Sequence, residues 1–125
     1  KINLNTGRKV WTLHHGRRVA ADGRLVAQGD MNFGGVITTA SGLIFATGTV
    51  EPKAFAFSDQ QGDLLWQAEL PYSGSAPPMT YEFGGCQYVV FVATGGQYVG
   101  YGEKGDAIQA FRLDSCKPSA ESKTG

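Results

Sequence analysis

The hydrophobic positions of this chain fall in short runs, and no long amphipathic stretch is present. No segment of twelve or more residues repeats its apolar positions with the 3.6-residue period of a helix. Gly or Pro interrupts the sequence roughly every ten residues, and the runs between them are rich in β-branched and aromatic residues. This pattern predicts an all-β protein, and the predicted strands are residues 1–5, 8–14, 34–40, 43–49, 53–58, 64–70, 77–83, 86–94 and 107–114.

Several predicted strands are apolar on both faces, which is typical of strands packed between two layers. Residues 54–57 read Ala-Phe-Ala-Phe, and residues 88–93 are almost wholly apolar. Tight turns that contain Gly, as at 41–42, 60–63 and 84–85, separate consecutive strands. The strands are therefore predicted to pair as antiparallel hairpins in the order of the sequence.

An internal repeat distinguishes between the possible all-β folds. Trp11 and Trp66 lie 55 residues apart, and each follows a Gly by four residues. The run Leu-Ile-Phe-Ala-Thr-Gly at 43–48 matches Val-Phe-Val-Ala-Thr-Gly at 90–95, an offset of 47 residues. A four-stranded unit that repeats at this spacing is typical of a β-propeller blade.

The repeat divides the chain into parts of three blades and a tail. Residues 1–14 are predicted to be the last two strands of one blade, 34–70 a complete blade, 77–114 three strands of another, and 115–125 a C-terminal tail. The chain has no initiator Met, begins inside a predicted strand and lacks a fourth strand for its last blade. We therefore expect a fragment of about two to two and a half blades, completed by the remainder of the propeller or by self-association.

Charge and motif content exclude several classes of function. The formal net charge is +0, so a nucleic-acid partner is not expected. Residues 1–24 hold six basic residues against one acid, Asp22, which indicates either an anionic partner or an ordinary solvated surface. Adjacent residues of a strand point to opposite faces, so His14 and His15 are not expected to chelate one metal ion. No P-loop or Cys-x-x-Cys motif is present.

The two cysteines can be placed by strand register. If Ala93 or Thr94 pairs near residue 108 or 109, the partner numbers sum to about 202 and Cys86 falls opposite Cys116. Opposed residues lie within disulfide range, so this register predicts a disulfide that ties down the C-terminal strand. Two free thiols are the alternative.

Several motifs, taken together and in order, identify a family. The run Ala56-x-Ser58-x-x-x-Gly62-x-x-x-Trp66 resembles the tryptophan-docking motif of the quinoprotein dehydrogenases, with Ser in place of its Asp. Residues 31–45 are similar to the Asn-x-Gly-Gly…Thr-Ala-x-Gly-Leu-Val-Phe segment of that family. The resemblance continues through 70–81, 87–90, 95–106 and 110–113. It is strongest to the C-terminal end of the membrane-bound glucose and polyol dehydrogenases that depend on pyrroloquinoline quinone (PQQ).

The resemblance implies an eight-bladed propeller with PQQ on its axis and Ca²⁺ or Mg²⁺ beside it. Such an enzyme oxidises a sugar, polyol or alcohol hydroxyl and passes electrons to a quinone or another acceptor of the respiratory chain. It implies a periplasmic protein, with an anchor in the bacterial inner membrane as an option. Earlier blades supply the general base and most metal ligands in this family, so no catalytic residue and no metal ligand is assigned here.

Two places carry the site residues that the resemblance implies. Asn32, Phe33, Gly34 and Gly35 lead into an innermost strand, where Asn32 could hydrogen-bond PQQ and the glycines would let the backbone approach a flat cofactor. A β-turn Asn with packing glycines is the alternative. Gln97 stands where the glucose enzymes carry a His associated with substrate choice, so it is assigned to substrate binding and places glucose itself in doubt.

Other residues and other functions remain open at this stage. Glu51, at the position of a family Asp, could lie near the metal region or simply end a strand. Trp11 and Trp66 are expected to wedge between adjacent blades. A non-catalytic periplasmic propeller that binds protein partners is the alternative function, and a self-sufficient β-sandwich is disfavoured by the repeat. This chain alone is expected to be inactive.

Overall fold

The computed structural model describes residues 1–96 and 102–119, and its elements in these ranges are nine β-strands. This confirms the all-β class. The strands are β1 (Arg17–Val19), β2 (Leu25–Gln28), β3 (Val36–Thr38), β4 (Leu43–Ala46), β5 (Lys53–Ser58), β6 (Leu64–Glu69), β7 (Met79–Phe83), β8 (Cys86–Gly95) and β9 (Lys104–Arg112). Among the described residues no helix is long and apolar enough to span a bilayer.

The strands form three antiparallel sheets whose strand order follows the sequence. They are a two-stranded sheet β1-β2, a four-stranded sheet β3-β4-β5-β6 and a three-stranded sheet β7-β8-β9. The hairpin order predicted from the Gly-containing turns is therefore confirmed. The positive φ angles of Gly42 and Gly62 show why these turns need Gly.

The prediction of strands at 1–5 and 8–14 is wrong. These residues form a loose hairpin whose two arms share only one ladder bridge, between Ile2 and Lys9. Ile2 and Leu4 are 62% and 93% exposed, so no packed face holds the arms in register. Two strands that the sequence pattern did not predict lie farther along, at β1 and β2. They are only three and four residues long, and two of the three residues of β1 are Arg.

The four-stranded and three-stranded sheets pack face to face through a shared core. Its buried members are Ala54 and Leu70 from the first sheet and its exit, and Val89, Phe91 and Ala93 from β8. The Trp66 ring lies across this interface, with its centroid 5.0 Å from that of Phe111 and 6.5 Å from that of Phe91. Trp66 therefore packs between consecutive sheets, as expected.

Trp11 makes the corresponding contact one sheet earlier. Its indole N–H donates to the Asp59 carbonyl at 3.1 Å, and a Cβ built on Gly62 would lie 3.2 Å from the Trp11 ring. The ring therefore covers the β5–β6 turn, where the φ of +80° at position 62 favours Gly and a Cβ would press against the ring. This contact docks the N-terminal segment on the four-stranded sheet.

Cys86 and Cys116 form a disulfide with a Cα–Cα distance of 5.8 Å, which confirms the predicted bond. The register assumed for it is wrong by two residues. Ala93 pairs with Ala107, so partner numbers sum to 200 and a continued strand would place residue 114 opposite Cys86. Strand β9 ends at Arg112, and a turn in which Cys116 N–H donates to the Leu113 carbonyl brings the thiol back to its partner.

Candidate functional site

The residues that precede β3 are fixed by side-chain hydrogen bonds of Asn32. Its Oδ1 accepts the Gly35 N–H at 2.9 Å, which closes a turn of the kind that Asn stabilises. Its Nδ2 donates to the Thr47 carbonyl at 2.6 Å. Both ends of the amide therefore hold the chain itself, and one N–H and one lone pair remain for any other group.

Gly34 lies against the backbone that follows β4. A Cβ built on Gly34 would stand 2.6 Å from the Thr47 carbonyl oxygen and 2.9 Å from the Gly48 Cα, so only Gly fits. The sequence predicted close backbone approach at this position, and the structure shows the chain's own backbone in that place. Gly35 has a φ of +69° and lies beside Pro77, while Phe33 is 47% exposed and donates its N–H to the Gly48 carbonyl at 3.0 Å.

Asp30 is a residue of this region that sequence reasoning missed. Its side chain is only 1% exposed, and its Oδ1 accepts from Arg18 Nη2 at 3.0 Å. Its Oδ2 accepts the Val50 N–H at 3.4 Å, and its own N–H donates to the His15 carbonyl at 2.9 Å. The only sequence signal was an acid directly before Met31 and Asn32, inside a stretch predicted to have no regular structure.

Glu51 forms an ion pair with Arg17 of β1. One carboxylate oxygen accepts the Arg17 N–H at 3.0 Å, and the other accepts from the Arg17 guanidinium at 3.1 Å. Both residues line a shallow cavity of about 320 Å³ together with Ser73 and Glu103. Glu51 therefore joins β1 to the turn that follows β4.

His15 is packed among aromatic side chains on the other face of the four-stranded sheet. Its ring stands edge-on to Phe55 and Phe57, at centroid distances of 5.2 and 5.8 Å. Both ring nitrogens are buried without a hydrogen bond of ordinary geometry. Burial lowers the pKa of His15 below its ordinary value of 6.5, although the Thr47 backbone and the Glu51 carboxylate oppose this shift. The neutral imidazole is therefore the form that suits this position.

The basic stretch at 1–24 is largely neutralised by acids of the chain itself. Lys1 pairs with Asp59, and Arg24 pairs with Asp22 at 3.8 Å. Arg17 and Arg18 hold Glu51 and Asp30, as described above. Four of the six basic side chains are thus engaged, which favours the solvated-surface interpretation over an anionic partner.

The structure gathers only some of the predicted site residues. Asn32, Phe33, Gly34 and Gly35 form one turn, whereas Gln97 lies outside the described residues. Phe33 offers a flat aromatic surface and Asn32 a remaining amide donor, a set that fits one wall of a site for a flat quinone such as PQQ. Within residues 1–96 and 102–119 no group of three or more His, Cys, Asp or Glu side chains is placed to hold a metal ion.

Comparison with known proteins identifies a family model and sequence relatives that match this chain. Residues 1–89 match the family model described as "PQQ: Glucose/ethanol/alcohol dehydrogenase, beta-propeller domain". The chain is 43% identical over 81 residues to the quinoprotein glucose dehydrogenase of Escherichia coli (strain K12), covering 64% of this chain and 10% of that protein. It is 32% identical over 124 residues to the quinoprotein glucose dehydrogenase of Gluconobacter oxydans (strain 621H), covering 93% of this chain and 15% of that protein.

The fold of the chain also resembles part of a solved structure. The quinohemoprotein alcohol dehydrogenase from Comamonas testosteroni superposes with a TM-score of 0.52 and 26% sequence identity, covering 63% of this chain and 12% of that one. The chain spans about a tenth of the length of the first relatives it matches. With the family model matched over residues 1–89, the chain belongs to the PQQ-dependent dehydrogenase β-propeller family.

Proposed function

We propose that this chain is part of a PQQ-dependent dehydrogenase that oxidises a hydroxyl of a sugar, polyol or alcohol. The observation that carries the proposal is the family match over residues 1–89, which includes the turn at 32–35 and the whole four-stranded sheet. The chain would supply C-terminal blades of an eight-bladed propeller. The general base would come from other blades.

The role proposed for the turn at 32–35 is to form one wall of the PQQ site. Phe33 and the remaining N–H of Asn32 would face the cofactor, while Gly34 keeps the turn tight against Thr47. When bound, PQQ takes up the two electrons released as the substrate C–OH becomes C=O. Ca²⁺ or Mg²⁺ would accompany it, with metal ligands supplied from elsewhere in the polypeptide.

The remainder of the propeller is the first partner that the proposal requires. On the three-stranded sheet, Met79, Tyr81 and Phe83 are 54%, 42% and 47% exposed. On the four-stranded sheet, Val36 and Leu65 are 58% and 57% exposed. Exposed apolar strands of this kind need a neighbouring sheet, or a second copy of the chain, to cover them.

The proposal also concerns the substrate, the electron acceptor and the location of the protein. Gln97 would contact the substrate as a neutral hydrogen-bonding group, which leaves polyols and alcohols beside glucose as candidates. A quinone or another acceptor of the respiratory chain would receive the electrons. A periplasmic location is supported by the Cys86–Cys116 disulfide, because such bonds persist in oxidising compartments.

A non-catalytic propeller scaffold remains the second candidate. One observation favours it, namely that the Asn32 amide is engaged at both ends by Gly35 and Thr47. In that case the turn at 32–35 would serve packing alone, and the protein would bind other proteins rather than PQQ.

The deciding experiment is dye reduction by the complete polypeptide that carries these residues, supplied with PQQ and either Ca²⁺ or Mg²⁺. The substrates are a panel of aldoses, polyols and simple alcohols, and PQQ binding is measured in parallel. PQQ-dependent turnover supports the dehydrogenase, and the best substrate shows what Gln97 selects. Absence of both turnover and PQQ binding would favour the scaffold.

A further inference from the structure

The Arg18–Asp30 ion pair differs from the other ion pairs among the described residues. The Asp30 side chain is 1% exposed, whereas the acids of the other four pairs are 16–72% exposed. A surface pair contributes little to stability, because water screens it and two flexible side chains must be ordered. A carboxylate withdrawn from water is different, since it requires its charged and hydrogen-bonding partners to stay in place.

The partners of Asp30 belong to two separate parts of the fold. Arg18 lies in β1, and the Val50 N–H lies in the turn after β4. The Asp30 N–H reaches the His15 carbonyl, just before β1. One buried carboxylate therefore ties the β1–β2 sheet and the turn after β4 to the start of the segment 30–35.

Hydrogen bonds of residues 32 and 33 hold the segment 30–35 at a second place. Phe33 donates its N–H to the Gly48 carbonyl, and Asn32 spans from Thr47 to Gly35. Both ties attach the segment 30–35 to residues 47–50. The backbone position of the segment that carries Phe33 therefore depends on the contacts of both Asp30 and Asn32.

We propose that Asp30, held by Arg18, is a positioning residue that sets the segment 30–35 for cofactor binding. This inference rests on the proposed function, because it takes Phe33 and Asn32 to line the PQQ site. Asp30 acts through the backbone and touches no cofactor itself. Its charge matters because the Arg18 guanidinium pairs with a carboxylate far better than with an amide.

The test uses the complete polypeptide and a matched pair of substitutions. Asp30→Asn keeps the shape and removes the charge, and Asp22→Asn makes the same change in the exposed Arg24 pair. Apoprotein is titrated with PQQ, and amide hydrogen exchange of Phe33 and Gly35 is followed without PQQ. We expect Asp30→Asn to weaken PQQ affinity about tenfold and to speed exchange at both amides, while Asp22→Asn changes neither. The substrate KM should stay within about twofold of the parent value, because the substrate is not held by this segment.

Each outcome decides between the two proposals. If the parent protein binds PQQ and Asp30→Asn binds it equally well, the positioning role is wrong and the dehydrogenase stands. Faster exchange with unchanged PQQ affinity would make Asp30 a structural brace only, which also overturns the inference. If the parent protein neither binds PQQ nor turns over substrate, the proposed function is wrong. The positioning role rests on that function and is then wrong as well.

A second pair of variants covers the case in which Asp30→Asn does not fold. Arg18 is about half exposed, so Arg18→Gln removes the partner without opening the core, and Arg18→Lys keeps the charge. We expect Arg18→Gln to weaken PQQ affinity and Arg18→Lys to restore most of it. Equal affinities for Arg18→Gln and the surface control Arg24→Gln would refute the positioning role.

Discussion

The backbones of Gly34 and Gly48 cross so closely that neither position has room for a side chain. A Cβ on Gly34 would meet the Gly48 Cα at 2.9 Å, and a Cβ on Gly48 would meet the Phe33 carbonyl carbon at 3.1 Å and the Gly34 backbone more closely still. Gly48 also has a φ of +98°, which L side chains rarely adopt. The crossing fixes the start of β3 against the end of β4, next to the Asn32 turn.

Gly48→Ala is therefore expected to destabilise the protein strongly. Strain at a positive φ costs about 1 kcal/mol, and displacement of a packed backbone adds about 1–3 kcal/mol. Urea unfolding measures the change. Gly23→Ala is the control, because Gly23 has a φ of +82° with nothing within 4 Å, and it should show only the smaller loss. Equal losses in the two variants would mean that the crossing is not tight.

The Cys86–Cys116 disulfide is expected to stabilise the protein by about 3–4 kcal/mol, because it closes a loop with a sequence separation of 30 residues. A double Cys86→Ser, Cys116→Ser variant should lose this stability in urea unfolding. The parent protein in excess reductant should unfold at the same urea concentration as the variant, whereas reductant should leave the variant unchanged. Intact mass without reductant, about 2 Da below the fully reduced value, reports the bond directly. Equal masses with and without reductant would disprove it.

Strand β5 shows how a buried face helps to place a strand from the sequence. The run 53–58 was predicted with the same bounds that β5 has, and four of its six residues are buried. A buried face imposes strict alternation or a continuous apolar run, and either pattern is visible in the sequence. The hairpin at 1–14 shows the converse, since its alternation of apolar and polar residues has no packed face behind it, and Leu4 is 93% exposed.

The candidate site was predictable as a segment but not as a set of contacts. The motif at 32–35 led to the turn, yet its hydrogen bonds to Thr47 and Gly48 join residues about 15 positions apart. Asp30 shows the same limit, because its partner Arg18 lies in a strand too short and too charged to be recognised. The local sequence pattern shows which residues are buried and where turns form. Which charged side chains pair depends on their distance in the folded structure, and the local pattern does not carry that information.

His15 predicts a specific pH dependence of stability. Burial lowers its pKa in the folded chain, so the unfolded chain binds a proton there more readily. The contribution of the neutral ring is therefore fully present above the ordinary value of 6.5 and is lost as the pH falls through the lowered value. Between about pH 7.5 and pH 5, the parent protein should lose more stability in urea unfolding than His15→Phe does.

Two variants test whether His15 itself causes this pH dependence of stability. His14 is exposed, so His14→Gln should retain the pH dependence of the parent protein. Phe at position 15 would keep an aromatic ring against Phe55 and Phe57 without a titrating group. A His15→Phe variant that loses stability with falling pH as steeply as the parent would show that other groups cause the dependence.

Phe91 is expected to be the largest single contributor to the packing between the four-stranded and three-stranded sheets. Its side chain is fully buried and lies among Phe45, Trp66 and Phe111, three rings that come from both sheets. Phe91→Ala should lower the free energy of unfolding by about 3–5 kcal/mol, because it leaves a cavity between rigid sheets that cannot close on it. Ile108→Ala in the neighbouring strand is the control, since that side chain is 72% exposed and its loss should cost far less. Urea unfolding followed by tryptophan fluorescence measures both, because Trp66 reports on this interface. A loss for Phe91→Ala no greater than that for Ile108→Ala would mean that the two sheets are not packed through this core.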